Sequence, residues 1–502
     1  PGPGAARPGP GPGRKLKAPR APRAGRAGRV SGRAAGSVTA PGGRERDGMD
    51  RIEIMTTPSL GDSSYLLVSG DEAALVDPQR DSWDLVGSCA ARGIRVRYVL
   101  ETHVHNDYVS GALEVRAATG ATVAGPARAP YAFDHLGLAE DDEITVGEAT
   151  VRAMETPGHT REHTSYLVYG NARDRDREAP AAVFTGGSLL VGSAGRTDLS
   201  GEHLTEELAR AQFRSLRRLA LLPDTTRVLP THGAGSSCSA GPAASGRTST
   251  VGAERRSNPA LAARDEEDFV GSRTTGLTPF PAYFHHMAPI NRAGPGVLGG
   301  PPQLRPLTPA AVEGLLGGGA WIVDGRERGT FAAAHVPGSI CDELDDRFAS
   351  LVGEVVPFGT RLVLVLPEPV AEAAREAVVQ LLRIGYENVA GHLAGGIGAW
   401  AAAGRPLRSF PTAEAAELAG HVREHRVLDV RPDRPEGGIP GTLAVPLAEL
   451  PRRLGELPRD REVWTVCGSG RRATVAASLL DLAGIPVRAV VTGGVEDLSA
   501  AA

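Results

Sequence analysis

Four histidines of this 502-residue chain stand at turns where a side chain can do chemistry. His103 and His105 lie in Thr102-His103-Val104-His105-Asn106-Asp107-Tyr108, directly behind the apolar run Val96–Leu100. Alternate residues leaving a strand end can point the same way, so both imidazoles can converge on one ion. His159 follows in Thr156-Pro157-Gly158-His159-Thr160, and His232 in Pro230-Thr231-His232-Gly233. Neutral imidazole suits zinc, iron or copper. Asp77, closing an early hairpin, is placed to orient a ligand as a supporting carboxylate. A lone histidine is more often a surface or satisfied core residue, the reading kept for His163 and His421. Four at Gly- and Pro-flanked strand ends point to a metal.

A second chemistry stands near the far end. Cys467-Gly468-Ser469-Gly470-Arg471-Arg472 lies between the strand Glu462–Val466 and a helix starting near Arg472. A loop at a helix N-terminus aims backbone N–H groups inward and favours an anion. A thiolate there is nucleophilic. Gly468, Ser469 and Gly470 let the loop curl around the sulfur, and Arg471 or Arg472 adds positive charge. Cys89 sits in a helical pattern and reads as core. The role of Cys238, beyond His232, is open.

The elements that must hold these groups follow from periodicity. Tyr65–Val68 and Ala73–Val76 form an expected hairpin, Val96–Leu100 a strand and residues 109–118 a helix. Further strands are expected at Ile144–Met154, Ser165–Tyr169, Ala182–Thr185 and Arg227–Leu229, with an amphipathic helix over His203–Leu222. Residues 235–260 are Ser-, Gly- and Ala-rich and read as a mobile loop. Beyond them the chain repeats itself at about 100 residues. Ile322-Val323-Asp324-Gly325-Arg326 recurs as Val427-Leu428-Asp429-Val430-Arg431, and Gly395-Gly396-Ile397 as Gly493-Gly494-Val495. His335-Val336-Pro337-Gly338 recurs as Gly438-Ile439-Pro440-Gly441. Each copy alternates strand and helix, as a small parallel α/β unit does. The first copy carries Pro367 where Cys467 stands and Glu372 where Arg472 stands, so it reads as a non-catalytic spacer or docking unit. Cys341 is not at the matching position.

The expected division is a disordered basic tail over 1–48, a metal-binding unit over 49–270, a linker over 271–305, an inactive copy over 306–408 and an active copy over 409–502. The tail holds eleven basic and two acidic residues and too few apolar ones to form a core. It reads as a basic arm, a targeting peptide or an extension ahead of Met49. The whole chain has a formal net charge of −4, which does not suit a nucleic-acid binder. No apolar run approaches the ~18 residues of a membrane span. Four cysteines are too few for a disulfide scaffold and suit a reducing, cytoplasmic compartment.

Over about 52–260 the histidine pattern resembles the metallo-β-lactamase superfamily, whose signature HxHxDH is followed by distant His, Asp and His. Gly186-Gly187-Ser188-Leu189 and Gly195-Arg196-Thr197-Asp198 resemble its persulfide dioxygenase and glyoxalase II branch. The resemblance implies a four-layer αββα sandwich with metal between the sheets. Two positions depart from it: Tyr108 replaces the last histidine of the signature, and Gly187 stands where the bridging aspartate falls. By match, His103 and His159 would hold one iron or zinc. The lost carboxylate leaves a three-histidine site of His103, His105 and His159, assisted by Asp107 or His232, with Tyr108 donating a hydrogen bond to substrate. The Cys467 loop resembles that of rhodanese-type sulfurtransferases, with C-x-x-G-x-R over six residues. The expected class is therefore α/β throughout: the sandwich, then two small parallel-sheet rhodanese-like domains.

Together these features imply sulfane-sulfur metabolism. A mononuclear metal domain would process a low-molecular-weight thiol persulfide, and Cys467 would exchange sulfur with such a persulfide or thiosulfate, in a chain that is free of nucleic acid and membrane, with homo-oligomer formation left open. The alternatives are a glyoxalase II-like thioester hydrolase and a degenerate metal domain acting as sulfur sensor or scaffold.

Overall fold

The computed structural model describes residues 51–170, 179–241, 246–419, 421–432 and 441–499. The basic tail over 1–48 and the 438–440 part of the repeat lie outside the described residues.

Residues 51–274 form two six-stranded sheets face to face. The first runs in the order Arg51–Thr57, Asp62–Ser69, Glu72–Val76, Arg95–Leu100, Thr122–Pro126, Leu136–Leu138. The second runs Ser249–Thr250, Arg227–Pro230, Ala182–Gly186, Thr164–Tyr169, Ala149–Glu155, Glu143–Val146. Alternation along the strands turns Tyr65, Leu67, Val76 and Leu100 toward Val151, Tyr166, Phe184 and Leu229, and this apolar layer joins the sheets. The helices Trp83–Ala91 and Ala112–Thr119 cover the outside of the first sheet. Thr205–Leu219, Val251–Ser257 and Glu266–Thr274 cover the second. The result is the expected αββα arrangement.

Two local expectations change. The run Ile144–Met154 is a hairpin rather than one strand, because Gly147 turns the chain at φ 57°. The expected mobile loop over 235–260 contains the strand Ser249–Thr250 and the helix Val251–Ser257, capped by the Thr250 hydroxyl. Val251 is buried against the second sheet, which outweighs the polar composition around it.

The two later units have five parallel strands each, in the same spatial order. One runs Pro306–Leu307, Val389–Leu393, Leu362–Val365, Trp321–Asp324, Ser339–Cys341, and the other Thr412–Glu414, Val487–Thr492, Val463–Val466, Arg426–Asp429, Leu443–Ala444. The repeated Asp-x-Arg makes the same bidentate pair in both, Arg326 on Asp324 and Arg431 on Asp429. The duplication is thus structural as well as sequential.

The three units are packed together. Inside the expected linker, Phe284–Ala293 is a helix, with Tyr283, Phe284 and Met287 in the same apolar cluster as the middle unit's core. From this helix Asn291 accepts from Ser110 N–H (2.9 Å) and donates to the carbonyls of His105 (2.9 Å) and Tyr108 (2.8 Å). Arg383 pairs with Asp81 through two contacts of 2.9 and 2.6 Å, and its carbonyl accepts from Val109 N–H at 2.7 Å. The buried Arg80 side chain pairs with Glu387 at 2.7 Å.

Asn291 is buried and satisfies three backbone groups of the histidine turn. Asn291→Leu should therefore destabilise the metal-binding unit by about 2–4 kcal/mol, since each orphaned buried polar group costs ~1–3 kcal/mol. Chemical denaturation followed by tryptophan fluorescence would check this; an unchanged midpoint would show that the clamp is dispensable.

Candidate functional site

The histidine site lies where one edge of the sandwich brings strand ends from both sheets together. Asp77 sits there fully buried, in a left-handed conformation (φ 48°) that non-glycine residues seldom adopt. Three donors hold it. Thr102 donates from its backbone N–H (2.7 Å) and its hydroxyl (2.7 Å), and the Thr231 hydroxyl donates from the other sheet. The neighbours of these threonines, His103 and His232, are thereby fixed 3.3 Å apart, Nε2 to Nε2.

His159 enters from a third strand end. Gly158, at φ 150°, lies so close to Gln212 that a Cβ would overlap it. The Nδ1–H of His159 donates to Arg196 O at 2.7 Å, which leaves Nε2 buried with no hydrogen-bond partner. Asp107 Oδ1 and His105 Nδ1 are likewise buried and unpartnered. Among the described residues, the donor atoms of His103, His159 and His232 lie within 4.8 Å of one another, as do those of His105, Asp107 and His232, and of Asp77, His103 and His105. Orphaned nitrogen and carboxylate atoms converging at this spacing fit a divalent cation.

The expected trio of His103, His105 and His159 does not form one such group: His232, expected to assist, joins His103 and His159 instead. His105 leans the other way. Its Nε2 lies 3.0 Å from Tyr108 Oη, 3.1 Å from Glu101 and 3.3 Å from Asp77. The expectation that Tyr108 donates to substrate also changes. Its ring is fully buried and stacked on His105, and its hydroxyl is 3.2 Å from Asp77 O. Gly187 has a steric reason: a Cβ there would overlap the His159 ring. Its N–H donates to His163 Nε2 at 3.0 Å, so His163 is a satisfied core residue. Sequence reading missed Asp62 and Glu101. Asp62 accepts from His232 Nδ1 at 2.9 Å, with Asp107 at 3.1 Å. A polar Asp-Ser-Ser opening an otherwise apolar strand was the available signal.

Burial alone would deprotonate His232, but Asp107 and Asp62 raise its pKa to about 10. Asp62 itself is pushed up to about 7, by burial and by Asp107. His159 falls to about 3, from burial and the charge on His232. Burial also lowers His105, yet Asp77 and Glu101 hold it well above the usual range.

The cysteine loop has its own geometry. Cys467 ends the strand Val463–Val466 and is buried, beside the N-terminus of the 12-residue helix Arg471–Leu482. Gly470 caps that helix at φ 80°, where a Cβ would overlap Val491. Arg471, expected to charge the loop, turns instead to the middle unit, donating to Asp342 (2.9 Å) and Glu343 O (2.7 Å) and pairing with Asp345. Arg472 faces a cavity at the junction of the units. Arg431 and, from the middle unit, Arg328 interact electrostatically with Cys467. Arg328 donates to Ser469 O at 2.8 Å and pairs with Glu343. In the middle unit Cys341 is buried in a strand, where burial raises its pKa.

The metallo-β-lactamase superfamily profile matches residues 59–232. A probable metallo-hydrolase of Burkholderia pseudomallei is 33% identical over 217 residues, covering 36% of this chain and 71% of that protein. The chain belongs to the metallo-β-lactamase superfamily. The rhodanese-like profile matches residues 308–403 and 413–501, so two rhodanese-like domains follow the metallo-β-lactamase domain. Hydroxyacylglutathione hydrolase of Methylococcus capsulatus is 35% identical over 187 residues, covering 36% of this chain; the chain spans 66% of that relative's length, just under two thirds. A crystal structure of a metallo-β-lactamase from Staphylococcus aureus superposes with a TM-score of 0.61 at 25% identity, covering 70% of this chain and 99% of that one. Among the described residues, no helix is long and apolar enough to cross a membrane.

The protonation pattern predicts a stability optimum for metal-stripped protein near pH 6.5. His232, raised to about 10, contributes stability that is complete below ~6.5 and is lost as pH rises through its folded pKa. His159, lowered to about 3, favours the fold above ~6.5 and withdraws that support as pH falls. Thermal midpoints across pH 4–10 would check this, with His232→Gln flattening the alkaline limb. An alkaline limb identical in wild type and variant would refute the assignment.

Proposed function

We propose that this chain is an enzyme of sulfane-sulfur metabolism, in which the metallo-β-lactamase domain oxidises a low-molecular-weight thiol persulfide with dioxygen and water to the free thiol and sulfite, and the terminal rhodanese-like domain transfers sulfane sulfur through Cys467. The observation that carries the sulfur reading is Cys467 itself, held on a glycine-rich loop at a helix N-terminus with guanidiniums beside it. In this reading His103, His159 and His232 hold one divalent metal, iron or zinc, with His105 and Asp107 adjoining. The metal would supply Lewis acidity and, if iron, redox capacity. The chain's residues do the rest. Arg196 O fixes the His159 tautomer; Asp62 orients His232 and, pushed up to about 7, is the carboxylate able to hold a proton beside the ligands; Asp107, despite its burial, is held below the usual carboxylate range by His232 and stays its anionic partner.

At the other site the Cys467 thiolate attacks the outer sulfur of a persulfide or thiosulfate. The donor S–S bond breaks, its electron pair leaves with the thiolate or sulfite, and Cys467 becomes a persulfide. An acceptor thiolate or cyanide then takes the outer sulfur and restores the Cys467 thiolate. Backbone amides of 468–472 with Arg328 and Arg431 would balance the charge on sulfur. Fusing both activities raises the effective concentration of the shared intermediate.

A second reading, glyoxalase II-like thioester hydrolysis, draws support from the hydroxyacylglutathione hydrolase similarity. It is weakened by Tyr108 and Gly187, which remove two donors from a second metal position.

Oxygen uptake with a thiol persulfide should fall by at least about a hundredfold in His159→Ala, since losing only a supporting partner of a ligand already costs ~10–100-fold. Equal uptake, or thioester turnover with zinc bound instead, would favour the second reading. Thiosulfate-to-cyanide transfer should vanish in Cys467→Ser. In Arg328→Ala it should show a KM raised about tenfold, the equivalent of one charge-assisted hydrogen bond. An unchanged KM would remove Arg328 from the site.

A further inference from the structure

A cavity of about 170 Å³ lies where the three domains meet. Asp107 and Leu60 face it from the metallo-β-lactamase domain, Arg347 and Glu354 from the middle domain, Arg472 from the terminal domain, and Tyr283 from the connecting segment. Among the described residues no side-chain hydrogen bond or ion pair engages Arg347 or Arg472, and Arg472 Nε is buried and unsatisfied. Glu354 is the carboxylate nearest them in effect. Burial raises its pKa, and the attraction of Arg472 and Arg347 opposes that shift, yet neither makes an ion pair with it. Proteins pair or hydrate enclosed charges because leaving them alone is costly. Arg472, half-buried with its Nε sealed from water, is the charge left uncompensated, and Arg347, itself exposed, adds a second positive charge to the same space; together they describe a site whose anion comes from outside. At ~300–1,000 Å³ pockets take drug-sized ligands; this cavity suits something smaller.

We infer that this junction cavity binds the oxyanion end, carboxylate or thiosulfate-type, of a small sulfur-bearing substrate, with Arg347 and Arg472 as its clamp. One wall, Asp107, adjoins the histidine cluster. The wall carrying Arg472 is the first turn of the helix that begins beside Cys467. The site thus borders the histidine cluster through Asp107 and the helix beside Cys467 through Arg472. The anion specificity follows from the cavity; the sulfur-bearing part rests on the function proposed above.

The test is equilibrium binding by calorimetry to the full-length Cys467→Ser chain, so that no sulfur is captured covalently. The probes are 3-mercaptopropionate, thiosulfate and cysteamine, the last a thiol with a cation in place of the anion. At least one of the two anions should bind, and which one binds identifies the source of the oxyanion. Arg347→Gln and Arg472→Gln should each weaken binding by roughly tenfold, one charge-assisted contact apiece. Arg375→Gln, a surface arginine paired with Asp84, is the control for net charge and should bind as the parent does. Unchanged thermal midpoints would establish that the variants fold. Binding of neither anion, equal binding of cysteamine, or equal weakening by Arg375→Gln would overturn the site. Arginine-dependent binding in a chain that lacks sulfur transfer would uphold the site and count against the functional reading instead.

Discussion

The buried Asp77 carboxylate is the interaction on which the histidine site depends. It is drawn on by threonines from two sheets whose facing sides are mainly apolar, and it joins the hydrogen bonds of Tyr65 to Pro230 O and of Tyr166 to Glu101 O that also cross between them. Dispersion and hydrophobic burial fix the distance between such sheets but leave sliding comparatively cheap. Charge-assisted hydrogen bonds have direction and length, so Thr102 and Thr231 on one carboxylate remove that freedom at the edge where His103 and His232 emerge. The left-handed backbone at Asp77 is the strain that accompanies this arrangement, and it sits where strain is usually retained for function.

Around that anchor the histidines are sorted by what their other ring nitrogen meets. Carboxylates hold His232 protonated, and burial together with that charge holds the neighbouring His159 neutral, so the two rings have opposite protonation preferences. His105 is held by Glu101, Tyr108 and Asp77 on one side while its Nδ1 is left open. The two departures from the superfamily signature belong to this sorting. Tyr108 stacks on the His105 ring and reaches its Nε2, and Gly187 leaves the room that the His159 ring occupies.

The middle domain carries no cysteine after its strand Leu362–Val365 and packs against both neighbours. Through Asp342, Glu343 and Asp345 it takes up Arg471, and through Arg328 it reaches the Cys467 loop. Through Arg383 and Glu387 it grips the metallo-β-lactamase domain. A duplicated fold offers a matching face for free, because the parallel sheet and its helices persist after the reactive residues are replaced.

The sequence by itself determined what depends on local pattern: alternating apolar runs, glycine and proline turns before histidines, the repeated Asp-x-Arg, and Cys467 between strand and helix. These are set by neighbours in the chain, whose geometry has periods of 2 and 3.6 residues. It also showed an apolar residue where the first copy would need a nucleophile, although the strand register puts Leu366 rather than the expected Pro367 at the position of Cys467. Only the tertiary structure decided which histidines share a site, that Asp62 rather than Asp77 orients His232, that Tyr108 faces inward, and that Arg471 serves the neighbouring domain while Arg328 serves its loop. Those outcomes depend on atoms brought together from more than a hundred positions away, as Asp62 and His232 are. Hydrogen bonds and ion pairs act over a few ångströms of space, and separation along the chain carries no information about them.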